Sequence, residues 1–363
     1  MFKADSFLIF LVVILSVLGI LTFFSASYYY SLKKTDFQDP YYFFKEFLIK
    51  DIFLGIIFFI FGILVGDFFL KNKKIVFFLV LTIYLFILLG FLPFFKLENA
   101  SAARWVNLGI ITFQPSEVIK PFLILFFIFI LESLKKASLG SRIITFILLF
   151  IVFLLPIFFQ PSFSNVLIIL MSLTIVFLNY LRSFKEFFAT FLFLIILILI
   201  LILVGSFWDY RKERVVSFFT KGQAFEDKYF QVTQSVFAVQ SGGLLGKGLG
   251  NSDVKIIGIP QMLTDSIFAI YAEETGFVGS LMLVILFFVL ILRIIIIAFK
   301  TQNSVKKSFC LAVAVWIFCQ TFLHIASNIA LIIPTGIILP FFSSGASGQL
   351  SIYFSLGIIS KNG

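Results

Sequence analysis

The sequence predicts an all-α polytopic membrane protein, and three observations predict it. Of 363 residues, 61% are hydrophobic, 13% are charged and 55 are Phe, giving a mean hydropathy of +1.13. Apolar runs of about 18 or more residues recur along the chain, each long enough to cross the hydrocarbon core as a helix. The runs lack the alternation of a membrane barrel, and hydrocarbon offers no partner to an open backbone, so they must be helical.

Taken in order, about ten spans are expected, at residues 7–28, 48–69, 75–95, 116–133, 142–160, 165–181, 187–206, 268–292, 308–333 and 347–360. In this reading residues 1–363 form one transmembrane domain. Residues 207–267 form a large extracytoplasmic loop between the seventh and eighth spans. Lys71, Lys73 and Lys74, then Lys135, Lys136 and Arg142, then Arg182 and Lys185, then Arg293, Lys300, Lys306 and Lys307 crowd alternate connections. By the positive-inside rule those connections, and both termini, are cytoplasmic. The net charge of +10 then faces anionic membrane lipids, and nucleic acid is not an expected partner.

The first span exceeds the apolar core of a secretory signal and is read as an uncleaved anchor. Cys310 and Cys319 lie in the apolar ninth span as small hydrophobes, with no disulfide framework or metal site implied. His324 is the only histidine, which excludes histidine triads and multi-histidine metal centres. A packed or helix-bridging role is expected for it.

The long polar loop is the feature that a bundle of anchors does not require. Its Val232, Val236, Phe237 and Val239 suggest a segment on the membrane face. SGGLLGKGLGNS at 241–252 lacks the spacing of a phosphate loop. Its glycines suit either a flexible turn with close helix packing or a backbone nest that sets Lys247 and Lys255 near a lipid-linked phosphate.

Charges inside spans are costly and mark candidate sites. In QPSEVIKP, Glu117 and Lys120 share one helix face, either as a structural ion pair or as part of a substrate site. In IPQMLTDSIFAIYAEETGFVG, residues 259–279, Asp265 and Glu273 would stand about 12 Å apart on a continuous helix. That is wider than the roughly 5 to 9.5 Å of paired glycosidase carboxylates, so one acting carboxylate with two structural ones is the simpler picture. Asp265 is the candidate, at the outer mouth of span eight, where a sugar hydroxyl and a lipid-embedded diphosphate can meet. Thr264 and Asp265 equally suit a helix cap.

Four stretches in this order, ASAARWVNLGIITFQPSEVIK (100–120), YFQVTQSVFAVQSGGLLGKGLGNS (229–252), the 259–279 segment and PTGIILPFFSSGAS (334–347), resemble the SEDS family of peptidoglycan polymerases across nearly the whole chain. GLGNSDVKI and YYFFKEFLI are similar to its FtsW-like division branch more than to its RodA-like elongation branch. The resemblance implies a peptidoglycan glycosyltransferase of the bacterial cytoplasmic (inner) membrane that joins lipid II into glycan strands during division and releases undecaprenyl diphosphate. It implies Asp265 as general base, and Arg104, Lys120, Arg211 and Arg214 as compensation for diphosphate charge, with Glu117 holding Lys120. Gln234, Ser235, Lys247, Lys255, Thr264 and Ser343, which lie in the same stretches, complete the expected substrate-binding set. No cofactor is implied beyond a divalent cation such as Mg at the diphosphate. The implied partners are a class B penicillin-binding protein transpeptidase and other divisome proteins.

The sequence also departs from the family pattern. Gln261 and Leu263 stand where a Glu and a His precede the aspartate, Ser162 replaces an Asp after span five, and Ser344, Ala346 and Gly348 alter the last signature. Asp265 thereby loses neighbours that would tune it. Two other readings stay open: a lipid II flippase or transporter using Glu117, Lys120, Glu273 and Glu274, and a non-catalytic division scaffold.

Overall fold

A computed structural model describes residues 4–36, 38–91, 105–107, 112–160, 162–181, 183, 186–188, 190, 226–259 and 261–361. Helix α1 (Ser6–Lys34) is followed by α2 (Tyr42–Lys71), α3 (Lys73–Leu89), α4 (Pro115–Ser133), α5 (Leu139–Phe159) and α6 (Phe163–Leu178). Helix α7 (Glu226–Ser241) and the single turn α8 (Val254–Ile257) precede α9 (Ile267–Lys300), α10 (Ser304–Asn328) and α11 (Ala346–Ser360). Strands β1 (Val106–Asn107) and β2 (Thr112–Phe113) pair antiparallel, with Val106 opposite Phe113.

Five helices, α1, α2, α5, α9 and α10, are long and apolar enough to cross a membrane. Helices α3, α4, α6 and α11 occupy four further expected spans. The seventh expected span, 187–206, lies almost wholly outside the described residues, as do Arg104, Arg211 and Arg214.

Three boundaries differ from expectation, each for a local reason. Helix α10 starts at Ser304 because the Asn303 side chain accepts from the N–H groups of Val305 and Lys306, an N-cap that apolar periodicity does not report. It stops at Asn328, before Ala330 turns into the left-handed region at φ 55°. The expected polar loop contains the helix α7, which packs on α9. Ser235 and Ala238 are buried there while Phe237 remains exposed.

Close helix contacts are made through glycine, as expected where lipid supplies no hydrophobic drive and packing must. A β-carbon on Gly62 of α2 would collide with the Phe354 carbonyl of α11, and one on Gly357 would collide with the Phe59 carbonyl of α2. In α2 a wider turn over Leu48–Phe53 places Asp51 inward, where it accepts from Gly345 N–H at 2.8 Å.

The two chain ends share one face of the bundle, here called the terminal face. Asp5 N–H donates to Ser360 at 2.7 Å, Ala4 bridges Lys361, and Arg293 grips both oxygens of Asp5 at 3.0 and 2.6 Å. Burial pushes the Asp5 carboxyl up, but Arg293 and the Leu8 N–H outweigh it and hold the group below its usual range. A depressed carboxyl pKa contributes stability above its unfolded value, and that contribution is lost as pH falls through the folded value.

Asp5→Asn is therefore expected to lower the melting temperature in detergent at neutral pH, and the gap to the parent protein should close as the medium is acidified below about pH 4. Gly62→Val, which overpacks the α2–α11 crossing, is expected to cost about 1–3 kcal/mol in the same melting assay.

Candidate active site

Asp265 sits on a tight turn over 261–266, on the distal face opposite the termini and immediately ahead of α9. Gln261, at φ 56°, accepts backbone N–H bonds from Thr264, Asp265 and Ser266. The side chain of Asp265 is half-buried. The first helical residue follows Ser266, whose side chain makes no capping bond, and Thr264 Oγ1 turns back to the Gln261 carbonyl at 3.1 Å. Thr264 thus stabilises the turn instead of capping the helix.

Neighbouring elements hold this turn from several sides. Asn328, the last residue of α10, donates to the Asp265 carbonyl at 2.8 Å and to the His324 carbonyl at 2.9 Å. Ser343 donates to the Thr264 carbonyl at 2.5 Å, and Ser344 N–H to Leu263 at 2.9 Å. From α7, Gln231 and Ser235 reach the Ser266 hydroxyl at 3.1 and 3.4 Å. Gly336, at φ 67°, lies alongside, where a β-carbon would stand at an ordinary contact distance of 3.7 Å from Asp265 Oδ2. Ser235 and Ser343, expected to touch substrate, are buried struts beneath the turn. Gln234 is half-buried one position away on α7.

Glu117 and Lys120 form a second, deeper cluster. The Lys120 ammonium lies 2.7 Å from Glu117 Oε2 and 3.0 Å from Asn165 Oδ1. It also lies 5.3 Å from the centre of the Trp316 ring. With 1% of its surface exposed, it is engaged on all sides by an anion, an amide oxygen and a π face. Helix α10 gives the depth of this cluster. Trp316 by Lys120 and Asn328 by Asp265 are twelve residues apart, about 18 Å of helix. The segment 334–348 connects the levels, with Gly336 beside Asp265 and Gly348 beside Glu117.

The two glutamates after Asp265 belong to neither cluster. Glu273 accepts from Lys247 at 2.6 Å, from Ser241 at 3.0 Å and from Ser252. Glu274 accepts from Ser25 of α1 at 2.5 Å and from Lys255 at 3.0 Å. Lys247, bonded to Asp253 and Glu273, is held above the ordinary lysine range. Both lysines expected at a phosphate are therefore committed to carboxylates. The glycine run is not an open nest either, because Lys247 and Gly248 give their N–H groups to the carbonyls of Glu273 and Glu274, at 3.0 Å each. Among the described residues, no three His, Cys, Asp or Glu side chains gather closely enough to hold a metal ion.

Sequence reading expected a packed or bridging His324 but missed the rest of the α10 ladder. Trp316 donates to Gln320 at 2.6 Å, Gln320 to the Ile338 carbonyl at 3.1 Å, and His324 Nδ1 lies 2.7 Å from the Ile337 carbonyl. The signal was present: 316, 320, 324 and 328 recur every fourth residue, one face of a helix.

Fold and site together define a class, a polytopic helical membrane protein with a braced carboxylate on its distal face. The chain belongs to the FTSW_RODA_SPOVE family of cell cycle proteins, whose model matches residues 5–362. It is 31% identical over 395 residues to a probable peptidoglycan glycosyltransferase FtsW of Wigglesworthia glossinidia brevipalpis, covering 99% of this chain and 93% of the relative. A shorter alignment, 37% identical over 152 residues and covering 42% of each chain, is to a probable peptidoglycan glycosyltransferase FtsW of Borreliella burgdorferi. Among solved structures, the fold matches a chain from a study of the structural coordination of polymerization and crosslinking by a peptidoglycan synthase complex. The TM-score is 0.73 at 21% identity, covering 99% of this chain and 97% of that one. It also matches rod shape determining protein RodA of Thermus thermophilus, with a TM-score of 0.63 at 23% identity and coverage of 98% and 95%.

Lys255→Met leaves Glu274 buried without its cation and is expected to destabilise the fold by about 3–5 kcal/mol. Adding Glu274→Gln should restore part of the loss. Strictly additive melting shifts in the double variant would show that the two residues are not coupled.

Proposed function

We propose that this protein is a peptidoglycan glycosyltransferase that polymerises lipid II during cell division, with Asp265 as its general base. One observation carries the assignment of the base. Asp265 stands on the distal face, on a turn fixed through the backbone by Gln261, Asn328 and Ser343, with its side chain only half-buried. A general base must be held still and reachable at once, and family membership supplies the reaction it serves.

In this reading the distal face is extracytoplasmic and both termini lie in the cytoplasm of a bacterial inner-membrane protein. Asp265 takes the proton from the 4-hydroxyl of the acceptor sugar as that oxygen bonds to the donor anomeric carbon. The configuration inverts, and undecaprenyl diphosphate leaves with the bonding electrons. Arg104, Arg211 and Arg214 are assigned to the diphosphate, where fixed cations stabilise developing charge. Glu117 and Asn165 hold the Lys120 ammonium at a deeper level. The chemistry of cross-linking falls to a class B penicillin-binding protein partner, within the larger set of divisome proteins.

A transporter reading draws less support. Glu117, Lys120, Glu273 and Glu274 are all closed into ion pairs, and moving cargo past them requires breaking those pairs in a low-dielectric interior.

Purified protein supplied with lipid II is expected to form glycan polymer, and Asp265→Asn should reduce the rate by a factor of about 10² or more, the scale of general-base catalysis. Equal polymer from the folded Asn variant would sink the assignment.

A further inference from the structure

Two helices act as a ruler for the membrane. Asp5, at the start of α1, is paired with Arg293 of α9. Twenty residues along α1, Ser25 bonds Glu274 of α9 and Lys255, and nineteen residues of α9 separate Glu274 from Arg293. The α1 interval comes to about 30 Å at the rise of an α-helix, the thickness of the hydrocarbon core, and α9 links the same two clusters with its break at Gly276 next to the distal one. The Asp5–Arg293 pair thus marks one boundary and the Ser25–Glu274–Lys255 cluster the other. Tyr28, Tyr29, Tyr41 and Tyr42 are exposed just beyond Ser25, where an interfacial aromatic belt belongs.

On this scale the glycine loop after α7 reaches below the distal boundary. Gly243 O accepts from Phe277 N–H at 2.9 Å, and Leu244 O from Val278 N–H at 3.1 Å. Those partners lie three and four residues to the hydrocarbon side of Glu274, just past the break at Gly276. Leu244 and Leu245 are 72% and 81% exposed, and they adjoin the exposed Phe277 and Val278 on the apolar outer face of α9.

We propose that residues 243–246 form a re-entrant membrane anchor, with Leu244 and Leu245 inserted among the acyl chains of the distal leaflet. Unpaired backbone is costly at this depth, and the carbonyls of Gly243 and Leu244 and the N–H groups of Gly243 and Gly246 are paired. The carbonyls take the N–H groups of Phe277 and Val278, and Gly246 N–H returns to Gly242 at 2.8 Å. Lys247 follows at once and carries its charge back up to Asp253 and Glu273, as a lysine leaving hydrocarbon must. The surface is continuous with the lipid face of α9, so the occupant is lipid rather than water.

The test places an environment-sensitive nitrobenzoxadiazole label on Leu245→Cys, in a Cys310→Ala, Cys319→Ala background reconstituted into phosphatidylcholine nanodiscs without any partner protein. Asn251→Cys, on the exposed far side of the same loop, is the reference. The 245 label is expected to emit at shorter wavelength, to be quenched more strongly by doxyl-labelled lipid than the 251 label, and to resist aqueous iodide. Leu244→Cys provides a second site should the first fold poorly. Doxyl quenching at 244 and 245 no greater than at 251 would overturn the proposal.

Discussion

A helix can be interrupted inside a membrane only if another stretch of backbone takes up the groups that the interruption orphans. Helix α9 is interrupted at Gly276, at φ 68° and ψ −166°, and the orphaned groups are met by the glycine loop that follows α7. Lys247 and Gly248 donate to the carbonyls before the break, and Gly243 and Leu244 accept from the amides after it. The fit leaves no room for side chains, since a β-carbon on Gly276 would strike Leu244 and one on Gly246 would strike Glu274. Glycine at 246 and 276 is therefore demanded both by positive φ and by contact distance. The turn bearing Asp265 opens this same helix, so its position depends on that pairing.

Charge placement follows from the same junction. Glu273 and Glu274 bring two buried carboxylates together, and each is met by a lysine, Lys247 of the loop or Lys255 of α8, and by a serine hydroxyl. Such pairs contribute little net stability against an apolar alternative, but removing one partner is costly. Their effect is to fix which loop residues face which helix residues. Glu117 and Lys120 act likewise lower down, where they fasten α4 to Asn165 of α6 and to Trp316 of α10.

The fold was largely legible because helices in hydrocarbon leave long apolar runs, and the described spans fall where those runs predict. Boundaries were less so: the Asn303 cap and the reversal at Ala330 are matters of one residue's hydrogen bonds and one residue's dihedral. Of the site, the buried lysine and glutamate of α4 and the position of Asp265 before α9 were readable. The roles of Ser235, Ser343, Lys247 and Lys255 were not. A polar residue in a signature stretch looks the same whether it meets a substrate or a carbonyl of its own chain, and only the folded geometry separates the two. Asn328 was overlooked because its bond is to a backbone carbonyl 63 residues away, which no local pattern encodes.

Helix α10 presents a side chain every fourth residue to a different partner: an ammonium, two carbonyls of the 337–338 segment, and the carbonyl of Asp265 itself. A rod pinned at four heights can neither twist about its axis nor slide by a residue without releasing all of them together. It behaves as a fixed wall. Any opening that admits a bulky saccharide beside the carboxylate must therefore come from displacement of the elements across from it, with α10 as the stationary frame.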